Sequence, residues 1–176
     1  AQVGDVEKQK KIAWQIFRSS RTKENFEKAL QAEAPAKHQE LLEQEIHGII
    51  QEKKLESQSV DFLLEMGLPN QAEEYILQRK NELDGNNYGS LSDWVEVFEQ
   101  QNKLLISSLI YRALLDSILE RAYSKAYHYG VNYLRNLDEY APQIQDWRGN
   151  MTHDSYTNKI RLAHKRKSSF WAQYKN

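Results

Sequence analysis

Leu104-Leu-Ile-Ser-Ser-Leu-Ile-Tyr-Arg-Ala-Leu-Leu-Asp-Ser-Ile-Leu-Glu120 is the stretch that decides the fold. Leu104, Leu105, Ile106, Leu109, Ile110, Ala113, Leu114, Leu115, Ile118 and Leu119 wrap most of the circumference of a helix. The polar residues Ser108, Arg112, Asp116 and Glu120 recur every four positions and draw one narrow stripe along that rod. Arg112 and Asp116 are also spaced to pair. Burying even six such aliphatic side chains contributes on the order of 10 kcal/mol before chain entropy is subtracted. The segment therefore predicts a helix over roughly 103–122 at the centre of the fold.

The flanking sequence has the same character. Ser90 and Asp93 resemble a capping box that opens the helix of Trp94, Val97 and Phe98, after the turn cluster Asp84-Gly-Asn-Asn-Tyr-Gly89. Further back, Val60, Leu63 and Leu64 end a short helix at Gly67, where a left-handed cap is wanted. Pro69 then opens a partner helix with Ala72, Tyr75, Ile76 and Leu83 on one side. Three helices precede these, near 6–19, 22–32 and 36–54, the last led by Pro35. After a break at Tyr123–Ser124 a helix runs to about Leu137, Pro142 bends the chain, and Asp146–Asn150 is a loop. Thr152 can cap a final helix with Tyr156, Ile160 and Ala163, and a last turn carries Phe170, Trp171 and Tyr174. Leu63-Leu-Glu-Met-Gly-Leu-Pro-Asn-Gln-Ala72 is echoed by Ile118-Leu-Glu-Arg-Ala-Tyr-Ser-Lys-Ala126, though no strict 34-residue consensus is met. The expectation is an all-α fold of about nine helices, arranged as an array of antiparallel helical hairpins in a tetratricopeptide-like right-handed superhelix. Residues 1–54 supply its N-terminal helices and 55–176 its C-terminal part, read as one continuous domain.

Composition narrows the functional classes. The 176 residues are 40% hydrophobic and 28% charged, as in an ordinary folded domain, with three prolines and seven glycines. The absence of cysteine removes disulfides, thiol nucleophiles and cysteine zinc sites from this chain, and fits a cytoplasmic location. No apolar run approaches the length of a membrane span. The opening Ala-Gln-Val-Gly-Asp reads as a fragment cut from a longer protein. Net charge is −1 but unevenly spread: residues 148–176 hold seven Lys or Arg and a single acid, Asp154.

Two longer motifs carry a family resemblance. Leu109-Ile-Tyr-Arg-Ala-Leu-Leu-Asp-Ser-Ile-Leu-Glu-Arg-Ala-Tyr-Ser-Lys-Ala-Tyr127, together with His153-x-x-Tyr156-x-x-x-Ile-Arg161-x-x-His164-x-Arg166-Lys167-x-x-Phe170-Trp171, resembles the signature of an uncharacterised bacterial family. The resemblance covers roughly 55–174; residues 1–54 match only in general character. It implies a helical, tetratricopeptide-like module of the kind often found C-terminal to SWIM-type zinc-finger regions. The cysteine motif of those regions is absent, so no zinc function carries over, and the resemblance supplies no activity.

No nucleophile elbow, P-loop, dinucleotide fingerprint or H-E-x-x-H motif occurs. The adjacent acids Glu73/Glu74 and Asp138/Glu139 point about 100° apart on a helix and do not converge on a substrate. His153 and His164 are eleven residues apart and His128 lies in another helix, so capping and core hydrogen bonds suit them better than a shared metal. No catalytic residue, metal or cofactor is expected. Tyr123, Tyr127, Tyr129, Tyr133 and Tyr140 form an aromatic set that can pack between hairpins or anchor a peptide. The favoured function is a non-enzymatic scaffold that binds a protein, a peptide or another domain of its parent. Arg112, Asp116, Lys125, Tyr127, His128 and Arg135 are its candidate contacts. The competing reading is nucleic-acid binding through Lys159–Lys167, with Arg161, Lys165, Arg166 and Lys167 on phosphates and Trp171 or Tyr174 stacked on a base. Against it, the same cations can offset helix C-terminal carbonyls, and Phe170 and Trp171 read as a latch over the array end.

Overall fold

The computed structural model describes residues 2–175, and among these every regular element is helical. Ten α-helices are present among the described residues, one more than the sequence suggests, because the last turn around Phe170 is a helix of its own. The chain divides into two compact units, Ala1–Glu82 and Leu83–Asn176.

The first unit contains α1 (Gln2–Ser19), α2 (Lys23–Leu30), α3 (His38–Ile50), α4 (Ser57–Glu65) and α5 (Pro69–Gln78). The helix α1 packs against α2, and α4 against α5. The α2 N-terminus is capped by Thr22, whose hydroxyl accepts from the Asn25 amide. Pro35 opens a short 3₁₀ turn, and α3 begins three residues later, at His38. The core is aromatic. Phe17, Phe26 and Phe62 are fully buried, with ring centroids 5.1–5.4 Å apart, and Trp14 closes the cluster edge-on. The turn from α3 to α4 is held by polar groups. Glu52 accepts from Arg21, Ser59 and Tyr75, while Arg79 lies 4.1 Å from the Tyr75 ring and donates to the carbonyls of Ile50, Glu52 and Tyr75. Burial and the neighbouring Glu52 carboxylate push the Tyr75 phenol up to about 12, so it acts as a donor throughout the neutral range.

The second unit contains α6 (Tyr88–Gln100), α7 (Leu104–Glu120), α8 (Tyr127–Tyr140), α9 (His153–Ala163) and α10 (Ser168–Lys175). The expected central helix is present: twelve of the seventeen residues of α7 are buried, and α6 and α8 both pack against it. The capping box expected at Ser90 is not used. Asp84 closes an Asx turn on the Asn86 amide, and α6 starts earlier, with Asn87 at its N-cap. Thr152 does cap α9, accepting from the Ser155 amide. Phe170 is fully buried edge-on to Tyr127, and a side chain at Gly130 would press against Phe170 and Leu115.

Three helix ends close in one way. Gly67, Asn102 and Ala122 take left-handed φ of 72°, 53° and 51°. The following amide returns to a carbonyl five residues back: Leu68 to Leu63, Lys103 to Phe98, Tyr123 to Ile118. This six-to-one closure satisfies the orphan carbonyl of the helix and sets up a tight reversal.

Gly85 packs directly against the backbone of α7. A β-carbon there would lie 2.0 Å from the Ala113 carbonyl oxygen of α7. Gly85→Ala is therefore expected to cost about 1–3 kcal/mol. In thermal melts that lowers Tm by roughly 5 °C or more. In the first unit, Arg79→Met is expected to cost about 2 kcal/mol or more by orphaning three carbonyls. Arg18→Met, which removes an exposed pair with Glu45 and a 5.8 Å contact of the guanidinium with the Trp14 ring, should change the denaturation midpoint by well under the Arg79 value.

Candidate functional site

In the second unit a cavity of about 570 Å³ opens between α6, α7 and α8. Helical spacing builds it. On α7, Leu114 and Ile118 share a face and form the floor, and Arg121 follows just past the helix end. On α8, Tyr129 and Tyr133 are one turn apart and form one wall; at the start of α6, Tyr88 and Ser92 form the other. Tyr123 closes the end next to the left-handed turn at Ala122. Tyr88, Tyr123 and Tyr129 are half or more exposed, so their rings stand at the rim. Tyr133 is held from behind by stacking on Tyr111 at 5.3 Å. Tyr111 and Tyr140 both donate to the same Glu99 oxygen, at 2.6 and 2.5 Å, which fixes that aromatic layer. Burial raises both phenols above the ordinary tyrosine range, with the Glu99 hydrogen bond adding to it. Arg121 is the single formally charged side chain lining the cavity; its Nε donates to the Ser117 carbonyl.

The contacts expected from sequence are distributed differently. Arg112 is buried, with its guanidinium carbon 4.6 Å from the Trp147 ring and 4.7 Å from the Tyr156 ring. It donates to the Met151 carbonyl at 2.7 Å, while its Nε and Nη2 donate to no acceptor of the protein. Asp116 accepts from the Tyr156 hydroxyl at 2.7 Å, so Tyr156 serves as the partner of both residues expected to pair directly. Arg112 and Asp116 of the stripe are thus covered by Tyr156 of α9 and by the loop of Trp147 and Met151 before it; Ser108 is buried as well, and Glu120 at the end is exposed. Tyr127 is buried against Phe170. Arg135 is exposed and reaches the Gln173 carbonyl of α10. Lys125 and His128 are exposed where α8 begins, close in sequence to the cavity-lining Ala126 and Tyr129.

The basic residues of the tail remain at the surface. Arg161, Lys165 and Arg166 are exposed, and Lys167 is half-buried. Trp171 is already engaged: its indole N–H donates to the His164 carbonyl at 2.9 Å, and Arg161 lies over its ring at 4.8 Å. His153 Nε2 sits 2.7 Å from Asp138, whose other oxygen accepts from Tyr174. Among the described residues no three His, Asp or Glu side chains gather as a metal site.

Sequence reading named Tyr129 and Tyr133 but missed Tyr88, Ser92 and Arg121. The four-residue spacing of Tyr88 and Ser92 on a helix that starts earlier than expected would have found the first two. Arg121, seven residues after Leu114 and three after Ile118, continues their face.

Burial holds the Asp116 carboxyl above its ordinary value, so the folded state keeps this proton to higher pH than the unfolded chain does. Stability contributed at this position is therefore largest in acid and falls as pH rises from about 4 through the raised value. Asp116→Asn should remove that fall, seen as a flatter dependence of the denaturation midpoint on pH than in the parent.

No curated protein and no solved structure matches the chain. A family model described as a family of unknown function, DUF6880, matches residues 2–173, so the likeness extends through the N-terminal helices as well as the two motifs. The chain belongs to that family.

Proposed function

We propose that this chain is a non-enzymatic, tetratricopeptide-like scaffold whose α6–α8 groove receives a short peptide segment of a partner protein. The observation that carries the reading is the chemistry of the groove. An aliphatic floor, tyrosines at the walls and rim, and one arginine suit a bulky apolar side chain followed by a carboxylate. Cavities of this size with mostly apolar walls and few polar groups are the usual form of a binding site. The titratable groups lining it are tyrosines and Arg121, which form no acid–base pair of the kind hydrolysis or group transfer needs. The repeated turn closure at Gly67, Asn102 and Ala122 supports the hairpin-array part of the reading, because one turn geometry reused along a chain is how solenoids stack.

Tyrosine anchors and a charge-assisted pair predict which peptides the groove selects. A random peptide library displayed on phage and panned on the whole chain should enrich sequences with an aromatic or branched aliphatic residue next to Asp or Glu. Tyr129→Ala should weaken the best of these by tenfold or more, and Arg121→Glu should abolish the preference for acids. Enrichment of unrelated sequences, or binding indifferent to both variants while their circular dichroism is unchanged, would refute the groove as the site.

A further inference from the structure

The groove leaves the opposite chemistry of the second unit unexplained. From Ser155 to Lys175 there is no Asp or Glu, and there are six Lys or Arg. Helix surfaces ordinarily mix both signs so that neighbouring residues pair. Here the turn between α9 and α10 carries Lys165, Arg166 and Lys167 in succession, with Lys159 and Arg161 one to two turns back along α9. Arg161 is held in place, its guanidinium lying 4.8 Å from the Trp171 ring and 5.6 Å from the Tyr174 ring. Of the acids on the elements beneath this face, Asp138 is engaged by His153 and Tyr174 and Asp116 by Tyr156, while Glu120 at the end of α7 is exposed near His164 and offsets one of the cations.

We propose that the α9–α10 face binds the phosphate backbone of a nucleic acid. The other exposed groups of the two helices decide between polyanions. Asn158, Ser168, Ser169 and Gln173 are neutral hydrogen-bonding side chains, and this mixture with Lys and Arg is what contacts phosphate and sugar in nucleic-acid interfaces; the one exposed acid of the two helices among the described residues, Asp154, sits in the first turn of α9, at the end away from the basic turn. A membrane surface would call for an apolar face beneath the cations, and Leu162 is the one large apolar side chain exposed in this segment among the described residues. Trp171 is committed to the His164 carbonyl and to Arg161, so it positions a cation rather than stacking on a base. Recognition is therefore of the backbone, with little sequence preference and a strong dependence on salt.

The test is fluorescence anisotropy of the whole chain with three labelled oligonucleotides of equal length: single-stranded RNA, single-stranded DNA and duplex DNA. Comparing them shows which source of phosphodiester is preferred. With about four phosphates neutralised, affinity should fall roughly 50- to 150-fold between about 50 and 200 mM salt. Lys165→Glu/Arg166→Glu should weaken binding at least tenfold. Lys8→Glu/Lys11→Glu, an equal charge change on exposed residues of α1, should alter it less than threefold. Lys165→Gln/Arg166→Gln serves as a milder variant should the double reversal unfold the chain, expected to weaken binding at least threefold and to flatten the salt dependence; unchanged affinity in it would count against the face. Three results would each overturn the proposal: no anisotropy change with any oligonucleotide at low salt, equal losses in the two double variants, or polyglutamate of matched charge binding as tightly as the oligonucleotides.

Discussion

The covering of the polar stripe on α7 is the constraint from which the second unit follows. A helix with apolar residues around most of its surface cannot leave one face in water without exposing its neighbours as well. Here the stripe is covered by aromatic groups that tolerate charge. The Arg112 guanidinium is sandwiched between two π faces and bonded to a carbonyl, and Asp116 is satisfied by the Tyr156 hydroxyl. A buried arginine without such partners would be strongly destabilising. The sandwich fixes α9 and the loop containing Trp147 against α7, and so fixes where the basic turn after α9 emerges.

The groove lies on the other side of the same rod. Leu114, Ile118 and Arg121 sit about half a turn around the helix from Arg112 and Asp116. One face of α7 is therefore covered at Arg112 and Asp116 by Trp147 and Tyr156, and the opposite face is the floor on which α6 and α8 stand apart. The two binding surfaces proposed for the second unit thus depend on one element. The groove needs the floor rigid, and the basic face needs α9 anchored. The aromatic layer of Tyr111, Tyr133 and Tyr140 around Glu99 ties the groove wall to the same helix.

What sequence makes legible here is local chemistry. The load on Leu104–Leu119, the left-handed turn at Gly67, Pro69 at a helix start and the Thr152 cap each depend on residues within a few positions, and each is found where expected. What escapes is contact between distant residues. Nothing near Arg112 in sequence announces that Trp147 and Tyr156 will cover it, and i,i+4 spacing alone favours a direct pair with Asp116. The Ser90–Asp93 pattern loses to an Asx turn at Asp84 that starts α6 before the box can form. The Glu52 hub in the first unit joins residues 31 positions apart at Arg21 and 23 at Tyr75, beyond the reach of periodicity. The groove is half legible, since Tyr129 and Tyr133 recur along α8 while Tyr88 belongs to α6 and Arg121 lies past the end of α7.

Amide hydrogen exchange along α7 tests the central claim most directly. If the helix is a spine sealed on the stripe face, the amides of Ile110 through Leu115 should exchange only through global unfolding of the second unit, and should be protected more strongly than those of α10. Exchange of the Arg112 and Ala113 amides at rates close to those of exposed helix ends would contradict it, because a stripe open to water would let that side of the helix exchange without unfolding.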